Sequence, residues 1–161
     1  MDAVAPYAAA GAASLAAVLD VRFRRIPNWL TGSVCAAGLV LNAWYAGPNG
    51  LLLALAGGLL GLAILLPFYA VRAIGAGDVK LLAALGMLIG PHLLVSVAVY
   101  GAIVGGLMSI AILLTRGRLL LVLHELFIQH RPPTRSGAKA PYGVAIACGV
   151  LLSLVLPGVL G

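Results

Sequence analysis

The chain has 161 residues, of which 63% are hydrophobic and only 9% are charged, and its mean hydropathy is +1.14. Soluble globular domains are about half apolar and about one quarter charged, so this composition excludes an ordinary soluble domain and predicts an integral membrane protein. The net charge of +6 is then better explained by membrane topology than by nucleic-acid binding.

Six apolar runs predict an all-α, polytopic membrane protein in which a single domain, residues 1–161, occupies the whole chain. The predicted helices are 3–19, 29–46, 51–71, 79–90, 92–115 and 141–160. The first is interpreted as a retained helix, because its arginines follow the apolar run, whereas the positive charges of a signal peptide precede it. Between the fifth and sixth helices, residues 118–130 could form an amphipathic helix lying on the bilayer.

All ten Lys and Arg residues fall in or beside the connections after helices one, three and five, and none falls in the connections after helices two and four. They are Arg22, Arg24, Arg25, Arg72, Lys80, Arg116, Arg118, Arg131, Arg135 and Lys139. Because short cytoplasmic loops are enriched in Lys and Arg, this pattern predicts an N-terminus outside the cell and three cytoplasmic connections.

Glycine and cysteine residues lie within the apolar runs. The glycine pairs 57/61, 86/90 and 101/105 have GxxxG spacing, which permits close helix approach but also occurs because Gly is common in membrane helices. Cys35 and Cys148 are interpreted as buried thiols. The sequence has neither a CxxC pair nor a His/Cys cluster, so we expect no metal site.

Two of the four acidic residues stand at predicted cytoplasmic helix ends. Asp20 follows helix one and Asp78 begins helix four, so both carboxylates are expected at the same membrane face, where they meet if those helices pack together. Ionisable groups at membrane depth are costly and usually functional, and two close carboxylates share a proton. Such a pair supplies the general base and general acid of aspartic proteolysis.

Each of these features also has a simpler interpretation. Asp78 could stabilise the start of a helix as a first-turn acid, and Asp20 could pair with the arginines that follow it. Gly75 and Gly77 would let an extended substrate approach the backbone, or would form only a flexible connection. Residue spacing alone leaves these alternatives open.

Three stretches together resemble a known family. "GAGDVKLLAALG" at 75–86 resembles the GxGD signature of type IV prepilin peptidases, the polytopic aspartic proteases of bacterial membranes. "DVRFRRIPNWLT" at 20–31 is similar to that family's first aspartate motif, and "APYGVAIACG" at 140–149 is similar to the Pro-Tyr-Gly element that opens its last helix. The three motifs occur in the family's order, which is more specific than GxGD alone.

The resemblance implies that Asp20 and Asp78 are the catalytic pair of an endopeptidase in the bacterial inner membrane, with its active site facing the cytoplasm. Its substrates would be prepilins or pseudopilins, which lose a basic leader just before their apolar segment, and no cofactor or nucleic-acid partner is expected. Supporting or substrate-binding residues would be Gly75, Gly77, Lys80, Pro27, Asn28, Pro141, Tyr142 and Gly143. Lys80 would either tune the aspartates electrostatically or extend to the surface.

One departure from the family pattern concerns length. Larger prepilin peptidases carry an additional cytoplasmic domain, often with paired CxxC motifs, that is associated with N-methylation of the new pilin terminus. This sequence resembles the shorter, peptidase-only members, such as those of tight-adherence pilus systems, so no soluble methyltransferase domain is expected. The archaeal preflagellin peptidases share the GxGD motif and are an alternative, although the Pro-Tyr-Gly element favours the bacterial branch.

Functions from other classes fit the residues less well. No serine of an apolar run lies in a GxSxG setting and no histidine lies in the middle of a span, which argues against a serine intramembrane protease. A small transporter would place its ionisable residues near the membrane midplane, whereas both aspartates are expected at one face. A structural membrane subunit would tolerate Asn at both aspartate positions.

Overall fold

The computed structural model describes residues 4–71, 73–117 and 142–156. This part of the chain contains four helices, α1 (Val4–Phe23), α2 (Asn28–Ala70), α3 (Ala76–Thr115) and α4 (Tyr142–Val155), and the predicted all-α class is confirmed for it. The amphipathic helix predicted at 118–130 lies outside the described residues.

Three of these helices, α1, α2 and α3, are long and apolar enough to cross a membrane, and α4 is a shorter apolar helix of 14 residues. α1 extends to Phe23, past the predicted end at residue 19. It stops there because Arg24 adopts a left-handed conformation with φ of 54°, in which its N–H donates to the Asp20 carbonyl oxygen at 2.8 Å. Asp20 therefore belongs to the last turn of α1.

One glycine interrupts each of the two long helices, close to where the sequence predicts a connection. Gly47 has φ 58° and ψ −142°, and Gly90 has φ 76° and ψ 173°. Residues with a Cβ rarely adopt these angles. Pro48 and Pro91 follow directly, and their rings remove the backbone donor that a continuing helix would need.

The chain turns back on itself at both interruptions. A Cβ added to Gly38 or to Gly58 would lie 2.7 Å from atoms of Met87, although a straight helix would separate those two glycines by about 30 Å. A Cβ on Gly86 would lie 2.8 Å from Leu94 Cδ2, across a spacing of about 12 Å in a straight helix. α2 and α3 are therefore two helical hairpins packed against each other.

Glycines make the contacts between these hairpins close. A Cβ on Gly57 would overlap the carbonyl of Gly86, and a Cβ on Gly86 would overlap the carbonyl of Gly57. A Cβ on Gly61 would lie 2.7 Å from the Leu82 carbonyl oxygen, so Gly61 also faces α3. The GxxxG spacing at 57/61 thus serves close packing of backbones.

The buried side-chain amide of Asn42 donates hydrogen bonds to backbone carbonyls next to the turn of the second hairpin, α3. Asn42 Nδ2 donates to the carbonyl oxygens of Gly38, Met87 and Leu88 at 2.9, 3.0 and 3.3 Å. The carbonyls of Met87 and Leu88 belong to the last turn before Gly90, where the interruption removes helical donors. Asn42 on α2 therefore caps the C-terminal end of the first half of α3, the part that precedes Gly90. Its position within an apolar run did not indicate this role.

We expect the Asn42→Ala variant to be less stable by about 1 kcal/mol, because two carbonyls lose their donor within an apolar bundle. Thermal unfolding of the purified protein in detergent measures the change. The matched control is Asn49→Ala, which removes the same amide from an exposed position of α2. Equal stability of the two variants would contradict the capping role.

Candidate active site

Asp20 continues the buried face of α1. That face consists of small side chains spaced by three or four residues, Ala5, Ala9, Ala13 and Ala16, and Asp20 follows at the same spacing with only 9% of its surface exposed. Residues at this spacing share one side of a helix. The Asp20 carboxylate is therefore directed into the protein by the packing of α1.

The partner of Asp20 is the beginning of α4. The Gly143 N–H donates to Asp20 Oδ2 at 3.1 Å, in a buried hydrogen bond between residues 123 positions apart. Gly143 lies in the first turn of α4, where unpaired N–H groups and the helix dipole favour a carboxylate. Gly143 of the Pro-Tyr-Gly element and Asp20 of the first aspartate motif thus meet in space.

Residue 143 has no space for a side chain. A Cβ built there would lie 3.0 Å from both Cβ and Oδ2 of Asp20, so the carboxylate or the helix would have to shift. Tyr142, the first residue of α4, is half-buried, and its ring lies 3.6 Å from a Cβ built on Gly105 of α3. Pro141 lies outside the described residues.

Asp78 lies in the first turn of α3 and is also buried, with 9% of its surface exposed. Its Oδ2 accepts a hydrogen bond from the Gly75 N–H at 3.1 Å, and Gly75 is the N-cap residue of α3. The alternative interpretation of Asp78 as a helix-capping acid is therefore correct as a description of its local structure. Capping by one oxygen fixes the orientation of the carboxylate and is compatible with a chemical role.

The connection from α1 to α2 contacts the start of α3. Ile26 packs on Gly77, since a Cβ on Gly77 would lie 3.3 Å from Ile26 Cβ. Lys80 Nζ donates to Asn28 Oδ1 at 3.1 Å. These contacts place the last turn of α1, with Asp20, at the same end of the protein as the first turn of α3, with Asp78.

Pro27 determines how α2 begins. It is the N-cap residue of α2, with φ −69° and ψ 143°, and its carbonyl oxygen accepts from the N–H groups of Leu30 and Thr31 at 3.2 and 3.4 Å. Proline is preorganised for this extended conformation. The sequence analysis expected Pro27 and Asn28 to support the site, whereas Ile26, which stands in the same motif, was assigned no role of its own.

The described residues contain no group of three or more His, Cys, Asp or Glu side chains that could hold a metal ion. Asp20 and Asp78 are the acidic side chains in the described ranges 4–71, 73–117 and 142–156, and both are buried.

Comparisons with known proteins cover most of the chain. The model of the type IV leader peptidase family matches residues 7–110, a range that includes Asp20 and Asp78 but not α4. The chain is 32% identical, over 145 residues, to the prepilin leader peptidase/N-methyltransferase of Bacillus subtilis strain 168. That alignment covers 86% of this chain and 50% of the relative, so the chain spans about half the relative's length. No solved structure matches the chain significantly.

The family model therefore covers more than half of the residues, and the resemblance carried by the three motifs is confirmed. The chain belongs to the type IV leader peptidase family.

Proposed function

We propose that this protein is an aspartic endopeptidase that removes the basic leader of prepilins or pseudopilins, using Asp20 and Asp78 at the cytoplasmic face of the bacterial inner membrane. The observation that carries the proposal is the burial of two carboxylates at one end of an apolar helical bundle. Such groups are costly in a membrane protein unless they are used. Family membership and the name of the Bacillus subtilis relative support a peptidase with prepilin substrates.

The hairpins support a six-span topology. If Gly47 and Gly90 turn the chain at one membrane surface, then α2 and α3 each cross twice. A total of six further requires α1 to cross once and the segment that contains α4 to supply the last crossing. Exposed aromatic side chains stand near both ends of these segments, as in the aromatic belts of membrane proteins. They are Tyr7, Trp44 and Tyr45 at the end with the interruptions, and Phe23, Trp29, Phe68 and Tyr69 at the end with the aspartates.

The charges support a cytoplasmic location for the aspartates. The lysine and arginine side chains of the described residues lie at or beside helix ends on the side of the bundle that contains the aspartates. They are Arg22, Arg24, Arg25, Lys80 and Arg116. An excess of Lys and Arg is typical of the cytoplasmic side. The N-terminus would then be outside the cell.

The proposed chemistry needs only the two carboxylates and water. One aspartate, ionised, accepts a proton from water as the oxygen attacks the carbonyl carbon of the scissile peptide. The other, protonated, donates a hydrogen bond to the carbonyl oxygen, and the first aspartate then passes the proton it took from water to the leaving amine as the C–N bond breaks. The hydrogen bonds from Gly143 and Gly75 would hold one oxygen of each carboxylate in place.

Co-expression with candidate prepilins tests the function. We expect a faster-migrating product on a gel, whose N-terminal sequence begins at the boundary between the basic leader and the apolar segment. Purified protein should give the same cut in liposomes without added cofactor. Failure to cut prepilins of both the tight-adherence and the general type IV kind would contradict the proposed substrate class.

We expect Gly143→Ala to lower the rate of prepilin cleavage by about tenfold or more, because the added Cβ displaces the Asp20 carboxylate from its donor. The rate is measured with purified protein and a prepilin peptide. Gly106→Ala is the matched control, since a Cβ there meets nothing within 4 Å. Wild-type cleavage by Gly143→Ala would show that the α4 contact does not position Asp20.

A further inference from the structure

Lys80 lies close in sequence to Asp78, and the structure shows which group its ammonium contacts. Successive residues of a helix are rotated by about 100°, so Lys80 points about 200° away from Asp78, two residues earlier. Consistent with this, Asp78 is buried and Lys80 is exposed. Lys80 Nζ instead donates to Asn28 Oδ1, 52 residues away in the chain.

This hydrogen bond connects the two elements that carry the aspartates. Asn28 is the first residue of α2 and follows Asp20 by eight residues, across the short connection that ends α1. Lys80 follows Asp78 in the first turns of α3. Ile26 packs on Gly77 beside the bond, so the α1–α2 connection touches the beginning of α3 at two points.

We propose that Asn28 and Lys80 are a pair of positioning residues that fix the separation of Asp20 and Asp78, a role that rests on the proposed endopeptidase function. The rigid N-cap Pro27 precedes Asn28, so holding Asn28 also holds the connection that follows Asp20. Two carboxylates can share a proton and a water molecule only within a narrow range of distances, and small misplacements of reacting groups reduce rates strongly.

The first test is a double-mutant cycle with purified protein and a prepilin peptide. Lys80→Met and Asn28→Ala should each lower kcat by about two- to fivefold, as expected for one exposed hydrogen bond to a charged group, with little change in KM. The double variant should be no slower than either single variant, because the bond is lost only once. Lys80→Arg and Asn28→Asp keep the donor and the acceptor and should retain most of the wild-type kcat.

Two further readouts separate positioning from other roles. The pH dependence of kcat should be the same in Lys80→Met and the wild type, because Lys80 faces away from Asp78; a shifted profile would overturn the proposal in favour of electrostatic tuning. Arg116→Met is the control for charge, since it removes a cation from the end of α3 and should leave kcat unchanged. Additive losses in the cycle, or no loss in either single variant, would also overturn it.

A distance measurement tests the same proposal without substrate. Spin labels on cysteines at the exposed positions Val21 and Ala76, in a chain whose Cys35 and Cys148 are replaced by Ser, report the separation of α1 and α3. We expect a broader or shifted distribution in Lys80→Met and Asn28→Ala than in their parent. If the wild type cleaves prepilins and the distance distribution does not change in the variants, the positioning role of Asn28 and Lys80 is contradicted and the proposed function stands. If the distance distribution changes in the variants but the wild type cuts no prepilin, the proposed function is contradicted and the structural role of the Asn28–Lys80 bond stands.

Discussion

Replacement of Asp20 or Asp78 by Asn is expected to stop prepilin cleavage, with a loss of rate of about 10²- to 10⁴-fold for either variant. Asn cannot accept a proton from water, and it cannot alternate between acid and base. In the proposed mechanism the two carboxylates act as one unit, so the double variant should be little worse than either single variant. In cells that express a prepilin, the precursor should accumulate at its full length.

The Asn variants should leave the local structure largely intact. An Asn side chain keeps an oxygen that can accept the Gly143 N–H at position 20 or the Gly75 N–H at position 78. Unfolding in detergent should therefore be close to wild type while cleavage is lost. Full processing by both variants would leave only structural roles for the aspartates, and full processing by one of them would exclude a shared mechanism.

The largest expected effect on stability comes from the glycines between the two hairpins. Gly57→Ala and Gly86→Ala each place a methyl group where the backbone carbonyl of the other glycine lies. A backbone cannot move aside as a side chain can, so α2 and α3 must separate. We expect each variant to lose about 3 kcal/mol of stability or to fail to accumulate in the membrane.

Gly11→Ala and Gly32→Ala are the matched controls for these variants. Both glycines are exposed helical residues, and a Cβ on either meets nothing within 4 Å. Since Ala is the better helix former, they should be as stable as the wild type or slightly more stable. The measurement is unfolding in a denaturing detergent series. Equal stability of Gly57→Ala and Gly32→Ala would contradict the close approach of the hairpins.

Part of this architecture could be predicted from local sequence. The dipeptides Gly47-Pro48 and Gly90-Pro91 combine a residue free to adopt positive φ with one that cannot continue a helix, and each marks a reversal. The ends of helices near charged residues were less predictable. Apolar runs stop at the first charge, whereas α1 and α3 include Asp20 and Asp78 because backbone geometry and capping decide where a helix ends.

The contacts of the candidate site could not be predicted, because they join residues far apart in the chain. Nothing local to Asn42 indicates that it caps α3, and nothing local to Gly143 indicates a bond to Asp20. The motifs indicated which residues to consider, but not how they connect. For Lys80, the sequence left electrostatic tuning and surface extension open, and it did not indicate the hydrogen bond to Asn28.

The hydrogen bond between Asp20 and the start of α4 determines when, during synthesis, the Asp20 carboxylate can reach its position in the folded protein. Asp20 leaves the ribosome before the N–H that holds its carboxylate, which is synthesised 123 residues later. Until α4 has been inserted, a nascent chain would contain both acids without the geometry to cut. A protein with the proposed peptidase function would therefore become competent only after α4 has been inserted, which would protect other membrane proteins from premature proteolysis.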